Sequence, residues 1–182
     1  GVTLMSIRAW GGGGGGGGKL GPYNFATDWC ASGGGGGGEY RIRTAVAVTP
    51  GESIYVIVGA GGITKDDNAG DSGLASRVRN SGGTLVSASG GSGGAFTVQH
   101  ASTAPDDGGA AGGAGGTAGS GGTGSDGAAG TAGTGTDKNS ATAGSGGLAG
   151  DADVSIGKGG AGGKNSSAGA NGAAGKVIIV FV

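Results

Sequence analysis

Gly109-Ala110-Ala111-Gly112-Gly113-Ala114-Gly115-Gly116-Thr117-Ala118-Gly119-Ser120-Gly121-Gly122-Thr123-Gly124-Ser125-Asp126-Gly127-Ala128-Ala129-Gly130-Thr131-Ala132-Gly133 returns to glycine every third residue, with Ala118 the one interruption of that frame. A period of three fits neither an α-helix nor a β-strand. It is the period of the polyproline II helix, which turns once in three residues and rises about 3.1 Å per residue. The same spacing recurs at Gly144, Gly147 and Gly150, at Gly157, Gly160 and Gly163, and at Gly169, Gly172 and Gly175, with Ser166 interrupting the last frame. Two pure runs, Gly11–Gly18 and Gly33–Gly38, precede them.

Collagen shares this period but needs abundant proline and unbroken triplets, and only three prolines occur here, none in the triplet runs. Polyglycine II packing is the alternative. Bare glycine faces let neighbouring helices approach until backbone N–H groups reach carbonyls on adjacent helices, and Cα–H···O contacts add a weaker term. The competing reading is a flexible linker, the usual behaviour of Gly/Ser/Ala-rich sequence; the maintained frame and the strands that bracket it count against that. The expected polyglycine II segments are 11–18, 33–38, 108–133, 144–150 and 157–175. Eight residues span roughly 25 Å at this rise, so 108–133 is too long for one comparable helix and is expected to fold back near Thr117–Ser120.

The rest reads as β-structure. Tyr40, Ile42, Val46 and Val48 alternate with Arg41, Arg43, Ala45 and Ala47, the period of a half-buried strand. Thr49-Pro50-Gly51-Glu52 suits a type II turn, and Ile54–Val58 is apolar on both faces, so residues 39–59 are expected to form a β-hairpin. Val2–Trp10 and Lys176–Val182 read as further strands, the latter apolar on both faces and hence central. Shorter candidates lie at Leu74–Arg79, Thr84–Ala88 and Phe96–Gln99. No helix is expected. Strands at both ends imply one sheet or sandwich with the glycine material inserted, and a single domain over 1–182.

Composition narrows the function classes. Glycine supplies 54 of 182 residues and aromatics 4%, too little for a conventional apolar core along the whole chain. A net charge of −1 with 13% charged residues offers no nucleic-acid surface. Cys30 is the one cysteine, so no internal disulfide framework is expected. No secretory signal is read at the start, the Val177–Val182 run is too short to span a bilayer, and a first residue of Gly suggests a fragment or processed product.

Catalytic and metal readings are weak, and neither catalytic residues, metal nor cofactor are expected. His100 stands alone, against a His-based metal site or a Ser/His/Asp arrangement. Gly59-Ala60-Gly61 follows a strand, but Thr64 occupies the third glycine position of a dinucleotide motif. Gly13 through Gly18-Lys19 mimics a phosphate loop until Leu20, where Ser or Thr is required. Asp151 with Asp153, or Asp66 with Asp67, falls short of an oxygen cage for a cation.

The order Ile7-Arg8-Ala9-Trp10, glycine run, aromatic loop, glycine run, Glu39-Tyr40-Arg41, alternating strand, Thr49-Pro50-Gly51-Glu52, Ile54-Tyr55-Val56-Ile57-Val58-Gly59-Ala60-Gly61-Gly62 resembles the glycine-rich domain at the C-terminal ends of phage tail fibres. So does the finish, Gly172-Ala173-Ala174-Gly175-Lys176-Val177-Ile178-Ile179-Val180. A related arrangement occurs in the glycine-rich domain of anaplastic lymphoma kinase-type receptors, where polyglycine helices are inserted in a tumour-necrosis-factor-like sandwich. The resemblance implies an all-β fold: a β-sandwich of that kind holding a bundle of polyglycine II helices.

It also implies a tail-fibre tip at the distal end of a virion, binding a bacterial outer-membrane protein or surface glycan through the loops between helices. A homotrimer is implied, with a monomeric tip as the alternative. A structural cap or rigid spacer without a receptor is a second reading, and an ice-binding protein a third, which would require a flat, regular Thr/Ala face.

For the recognition role the candidate side chains fall in four loops. Tyr23, Phe25 and Trp29 share the loop between the two glycine runs, where aromatics could anchor an interface or cover the end of the bundle. Lys65, Asp66 and Asp67, then Asp137, Lys138 and Asn139, then Lys164 and Asn165 occupy polar loops, where an ordinary solvated turn is the competing reading. Trp10, Tyr40, Tyr55 and Phe181 lie in strands and are expected in the core.

Overall fold

The computed structural model describes residues 3–20, 29–99, 110–117, 119–135, 139–151 and 155–182. The fold is all-β, with no α-helix among the described residues. The described residues contain nine strands: β1 (Leu4–Trp10), β2 (Trp29–Cys30), β3 (Tyr40–Ala47), β4 (Tyr55–Ile57), β5 (Ser76–Asn80), β6 (Gly83–Ala88), β7 (Val98–Gln99), β8 (Thr123–Ser125) and β9 (Lys176–Phe181). One sheet has the order β8-β3-β1-β9, a second β4-β5-β6, and β2 with β7 makes a small third, all antiparallel.

The remaining glycine-rich chain forms straight segments that no strand ladder joins. They are denoted PG1 (11–18), PG2 (32–38), PG3 (59–64), PG4 (70–74), PG5 (89–95), PG6 (110–116), PG7 (127–133), PG8 (144–150), PG9 (157–163) and PG10 (169–175). Their hydrogen bonds show the three-residue period directly. Within PG1, Gly11, Gly14 and Gly17 donate to Glu39, Gly36 and Gly33; Gly12, Gly15 and Gly18 donate to Leu74, Asp71 and Asn68; and Gly13 and Gly16 donate to Ala173 and Ala170. Successive N–H groups therefore point at three different neighbours in rotation, as a threefold helix requires. PG1 carbonyls in turn accept from PG3, PG5 and PG9, which completes six neighbours.

PG2 repeats the arrangement. It donates to PG9, PG5 and PG7 and accepts from PG1, PG6 and PG8. PG1 and PG2 are thus adjacent interior rods of a hexagonal array, and the other eight close a ring around them in chain order, PG3 bonding to PG4 and so on round to PG10 against PG3.

This explains the two kinds of glycine pattern. A Cβ built on any residue of Gly11–Gly18 or Gly33–Gly38 would lie 1.7–2.5 Å from a carbonyl oxygen of a neighbouring segment, so only glycine fits. Outer rods bury only some of their faces. PG5 and PG9, which touch both interior rods, keep glycine at two positions in three, as at Gly90, Gly91, Gly93 and Gly94. PG7 and PG10 keep one in three and expose Ala, Thr or Asn at the others.

Three rods, PG3, PG4 and PG5, lie outside the segments expected from sequence; they are short, and their frames are broken by the strands between them. The 108–133 stretch does fold back beyond Thr117. Gly121 and Gly124, although in the triplet frame, belong to the turn and to β8 and not to a rod. Gly121 has a φ of 77°, the left-handed region that a reversal uses and that glycine enters without strain.

The sheets sit at one end of the bundle and share an apolar core: Met5, Ile7, Ala9 and Val46 from the first, and Val78, Val86 and Ala88 from the second. Residues 39–59 do not form a hairpin. The turn exists, with Glu52 N donating to Thr49 O at 2.9 Å, but β3 pairs with β1 and β8 whereas β4 pairs with β5 of the other sheet. The face assignment of β3 also changes. A register shift opposite Met5–Ile7, with Ala45 at a φ of 52°, puts Arg41 and Arg43 opposite Ala9 and Ile7 while Val46 stays opposite Met5. An extra residue in one strand reverses the alternation. Arg43 Nη1 then reaches Leu85 O of β6 at 2.9 Å and ties the two sheets together.

β9 is an edge strand and not central. Among the four aromatics expected in the core, Trp10 is buried, and it donates its Nε1–H to Asp151 Oδ2 at 2.7 Å and packs on half-buried Tyr40 at 4.9 Å between rings. Tyr55 and Phe181 are each 55% exposed because both sit on open strand edges. Leu4, Val56, Ile57, Val58, Ile63, Leu74, Val180 and Val182 are also exposed.

Candidate functional site

The rods alternate in direction along the chain. Gly14 and Gly17 pair with Gly36 and Gly33, so PG2 runs opposite to PG1, while Gly91 and Gly94 reach Gly12 and Gly15, so PG5 runs parallel to it. Every odd-numbered rod therefore leaves the sheets and every even-numbered one returns. The turns 65–69 and 164–168, and the described ends of the connections 19–31, 96–109 and 134–143, fall at the end far from the sheets. Four of these carry every sequence-expected recognition residue. The fifth, 96–109, holds the strand candidate Phe96–Gln99 and no expected recognition residue, although Pro105-Asp106-Asp107 breaks the glycine pattern there. Tyr23, Phe25, Asp137 and Lys138 lie outside the described residues.

A built floor supports these connections. Trp29 and Cys30 pair with Gln99 and Val98. Trp29 is 5% exposed and clusters with Ala31 and Ala141. It therefore caps the bundle end, and its ring is not presented to solvent as an anchor would be. Buried Ser32 donates its hydroxyl to Gly18 O at 2.6 Å, locking the start of PG2 to the end of PG1.

Asn165, at a φ of 45°, joins three segments: its carbonyl accepts from Leu20 N–H at 2.8 Å, its own N–H reaches Cys30 O at 3.2 Å, and its Oδ1 lies 3.4 Å from Cys30 N. This residue is structural as well as peripheral, a role that no sequence signal marks. Asn171 Oδ1 likewise accepts from Thr64 N–H at 2.9 Å.

Above the floor stand exposed charges. Lys65 pairs with Asp71 at 2.5 Å and Lys19 with Asp66 at 3.6 Å, both at solvent. Asp67, at a φ of 55°, donates its N–H to Lys19 O at 2.9 Å and holds the 65–69 turn against the 19–31 connection. Lys164 is exposed, and its backbone forms a tight pair with Ser167 at 3.0 and 2.7 Å. Thr134 and Thr142 pair at 2.9 and 2.7 Å across the connection that holds Asn139. The structure thus brings Lys65, Asp66, Asp67, Lys164 and Asn165 to one end on short, backbone-tied turns. Burial pushes the Cys30 thiol above its ordinary value, against hydrogen bonding with Asn165 and Ser32 that acts the other way.

Among the described residues no group of three or more His, Cys, Asp or Glu side chains converges on a metal position. Asp151 is engaged by Trp10, and Asp153 lies outside the described residues. No described helix is long and apolar enough to cross a membrane. What the arrangement offers is a backbone-bonded platform whose fully described free-end turns, 65–69 and 164–168, are short and polar.

A bundle of hydrogen-bonded glycine rods seated on antiparallel sheets defines a glycine-rich structural class. The family model for the glycine-rich domain matches residues 1–182, and the chain belongs to that family. No curated protein matches it.

Proposed function

We propose that this protein is the receptor-recognition tip of a phage tail fibre, using the turns at the free end of the bundle to bind an outer-membrane protein or surface glycan of a bacterium. The observation that carries this reading is that the described parts of the five rod connections lie together, far from the sheets. The rods below them are held by peptide groups and not by side chains, so the turns can change composition without loss of the support. In this reading the tip acts outside the cell, at the distal end of the fibre, joined to the remainder of the fibre as a homotrimer and needing no cofactor.

Binding of the labelled protein to a panel of bacterial strains tests it, beside a variant with Tyr23→Ala, Phe25→Ala, Lys65→Ala and Lys164→Ala whose thermal unfolding matches the parent. Strain-selective binding that the variant loses supports the reading. Failure to bind any strain, the natural host included, favours a structural cap.

A further inference from the structure

The two sheets end differently on their two sides. On one side the segment 120–125 closes both: Ser120 exchanges backbone hydrogen bonds with Ser87 of β6 at 2.8 and 2.9 Å, and β8 completes the other sheet beside β3. That closing segment is Ser, Gly and Thr. On the other side β4 and β9 are both outermost, and neither has a partner on its outer edge among the described residues. They lie on the same flank, because PG3, which continues from β4, bonds to PG10, which leads into β9, through Gly172 to Gly62 and Gly175 to Gly59.

Here the side chains are large and apolar. Tyr55, Val56, Ile57, Val58, Val180 and Phe181 are 46–55% exposed. Phe181 borders a cavity of about 400 Å³ against Pro50 and Ile54. Open strand edges normally carry charge, proline or a bulge that blocks pairing. Along β4 and β9 the one charged residue is Lys176, at the bundle end.

We infer that this flank is a contact between copies of the chain, with the β4 and β9 edges of one copy covered by a second. Ten large apolar side chains are exposed among the described residues, and six of them, Tyr55, Val56, Ile57, Val58, Val180 and Phe181, lie on β4, on β9 or directly after β4. At half exposure these six present on the order of 400 Å², with the two aromatics, at roughly 150–250 Å² each when whole, the largest contributors. That lies within the range of about 300–600 Å² for the largest apolar patch on a monomer, which is often functional, and two open strand edges beside it offer unpaired backbone groups to a second chain. With no acidic side chain on either strand, the flank is not built for a strongly basic partner, and its near-neutral character suits a second copy of itself.

This deepens the fibre reading by naming the surface of self-association. It is tested without bacteria, so its failure and that of adsorption are separate results. The molar mass of the protein at micromolar concentration, from light scattering after size-exclusion chromatography, is expected to exceed one chain. The variant Ile57→Glu with Val180→Glu is expected to run as a monomer with unchanged circular dichroism, while Thr123→Glu on the closed side keeps the parent mass. In the unmodified protein, amide exchange over 55–58 and 177–182 is expected to slow as concentration rises. A monomeric parent, an oligomer untouched by the paired glutamates, or exchange in β4 and β9 that ignores concentration would overturn the inference.

Discussion

The Glu39 carboxylate accepts Arg41 Nε–H at 2.6 Å through one oxygen and Ser89 N–H at 2.9 Å through the other. The Glu39 backbone N–H donates back to Ser89 O at 2.9 Å, and its carbonyl accepts Gly11 N–H at 2.9 Å. One fully buried residue thus joins the first turn of PG1, the end of PG2, the start of PG5 and strand β3, at the plane where rods become strands.

Removing that carboxylate takes the acceptor from Ser89 N–H and Arg41 Nε–H beside a fully buried position. Glu39→Ala is expected to destabilise the protein by about 3–5 kcal/mol, the range for breaking a buried pair. Glu39→Gln, whose amide oxygen can still accept from Ser89, should lose roughly 1–2 kcal/mol. Urea denaturation of the two variants checks the order.

Interior and surface positions should respond in opposite ways to a single methyl group. Gly36→Ala places a Cβ 1.9 Å from Ala114 O and is expected to lose about 4 kcal/mol or more, or to prevent folding. Gly51→Ala, at a φ of 85° with nothing within 4 Å, meets backbone strain of only about 1–2 kcal/mol. Ser92→Ala, on the outward face of PG5, should stay within about 0.5 kcal/mol. Thermal unfolding of the three variants gives the ranking.

Amide exchange should reveal the interior rods without any helix or sheet to explain the protection. The N–H groups of Gly12–Gly17 all donate to other rods and are expected to exchange only with global unfolding. The Gly93 N–H makes no bond to another rod among the described residues and should exchange orders of magnitude faster, although its neighbours Ser92 and Gly94 donate to Ala114 and Gly15. Heteronuclear spectra of the glycine amides would record both.

Cys30 gives a pH signature. Its thiol is held above the ordinary value chiefly by burial, so above pH about 8.5 the unfolded chain ionises while the folded one resists. Stability from this group is complete below the unfolded value and falls as pH rises towards the folded one. Cys30→Ala should remove that alkaline decline, and alkylation of Cys30 in the folded protein should be slow at neutral pH.

Trp29 and the exposed turns should separate stability from recognition. Trp29→Ala opens the cap over Ala31 and Ala141 and is expected to lose about 3 kcal/mol or more. Lys65→Ala and Lys164→Ala, both exposed, should leave stability within about 0.5 kcal/mol. Only the latter two can then report cleanly on binding to cells, measured beside thermal unfolding.

The rods were legible because their chemistry is local. A residue that meets a carbonyl at 2 Å must be glycine, so Gly11–Gly18 announces an interior rod and Gly127, Gly130 and Gly133 an outer one. PG3 to PG5 were harder to read because Gly59, Gly70 and Gly90 each begin frames only two turns long. The pairing of strands was hidden for a different reason. The alternation in Tyr40–Val48 is genuine, but the bulge at Ala45 reverses it, and β4 finds its partner further along the chain, Tyr55 opposite Arg79 and Ile57 opposite Arg77. Of the site, the turns were visible as breaks in the frame, whereas the burial of Trp29 and the bridging by Asn165 arise only once five connections share one end.

The outward side chains of the ring have one more consequence. A lattice of polyglycine rods has no inherent boundary, since each added rod offers fresh donors and acceptors to the next. Ser92, Ala114, Thr131 and Ala161 stand on the outside, where a further rod would have to approach within touching distance of bare backbone. They act as growth inhibitors on the faces of a crystallite: the number of all-glycine runs fixes how many rods lie inside, and the methyls and hydroxyls around them fix where the solid stops.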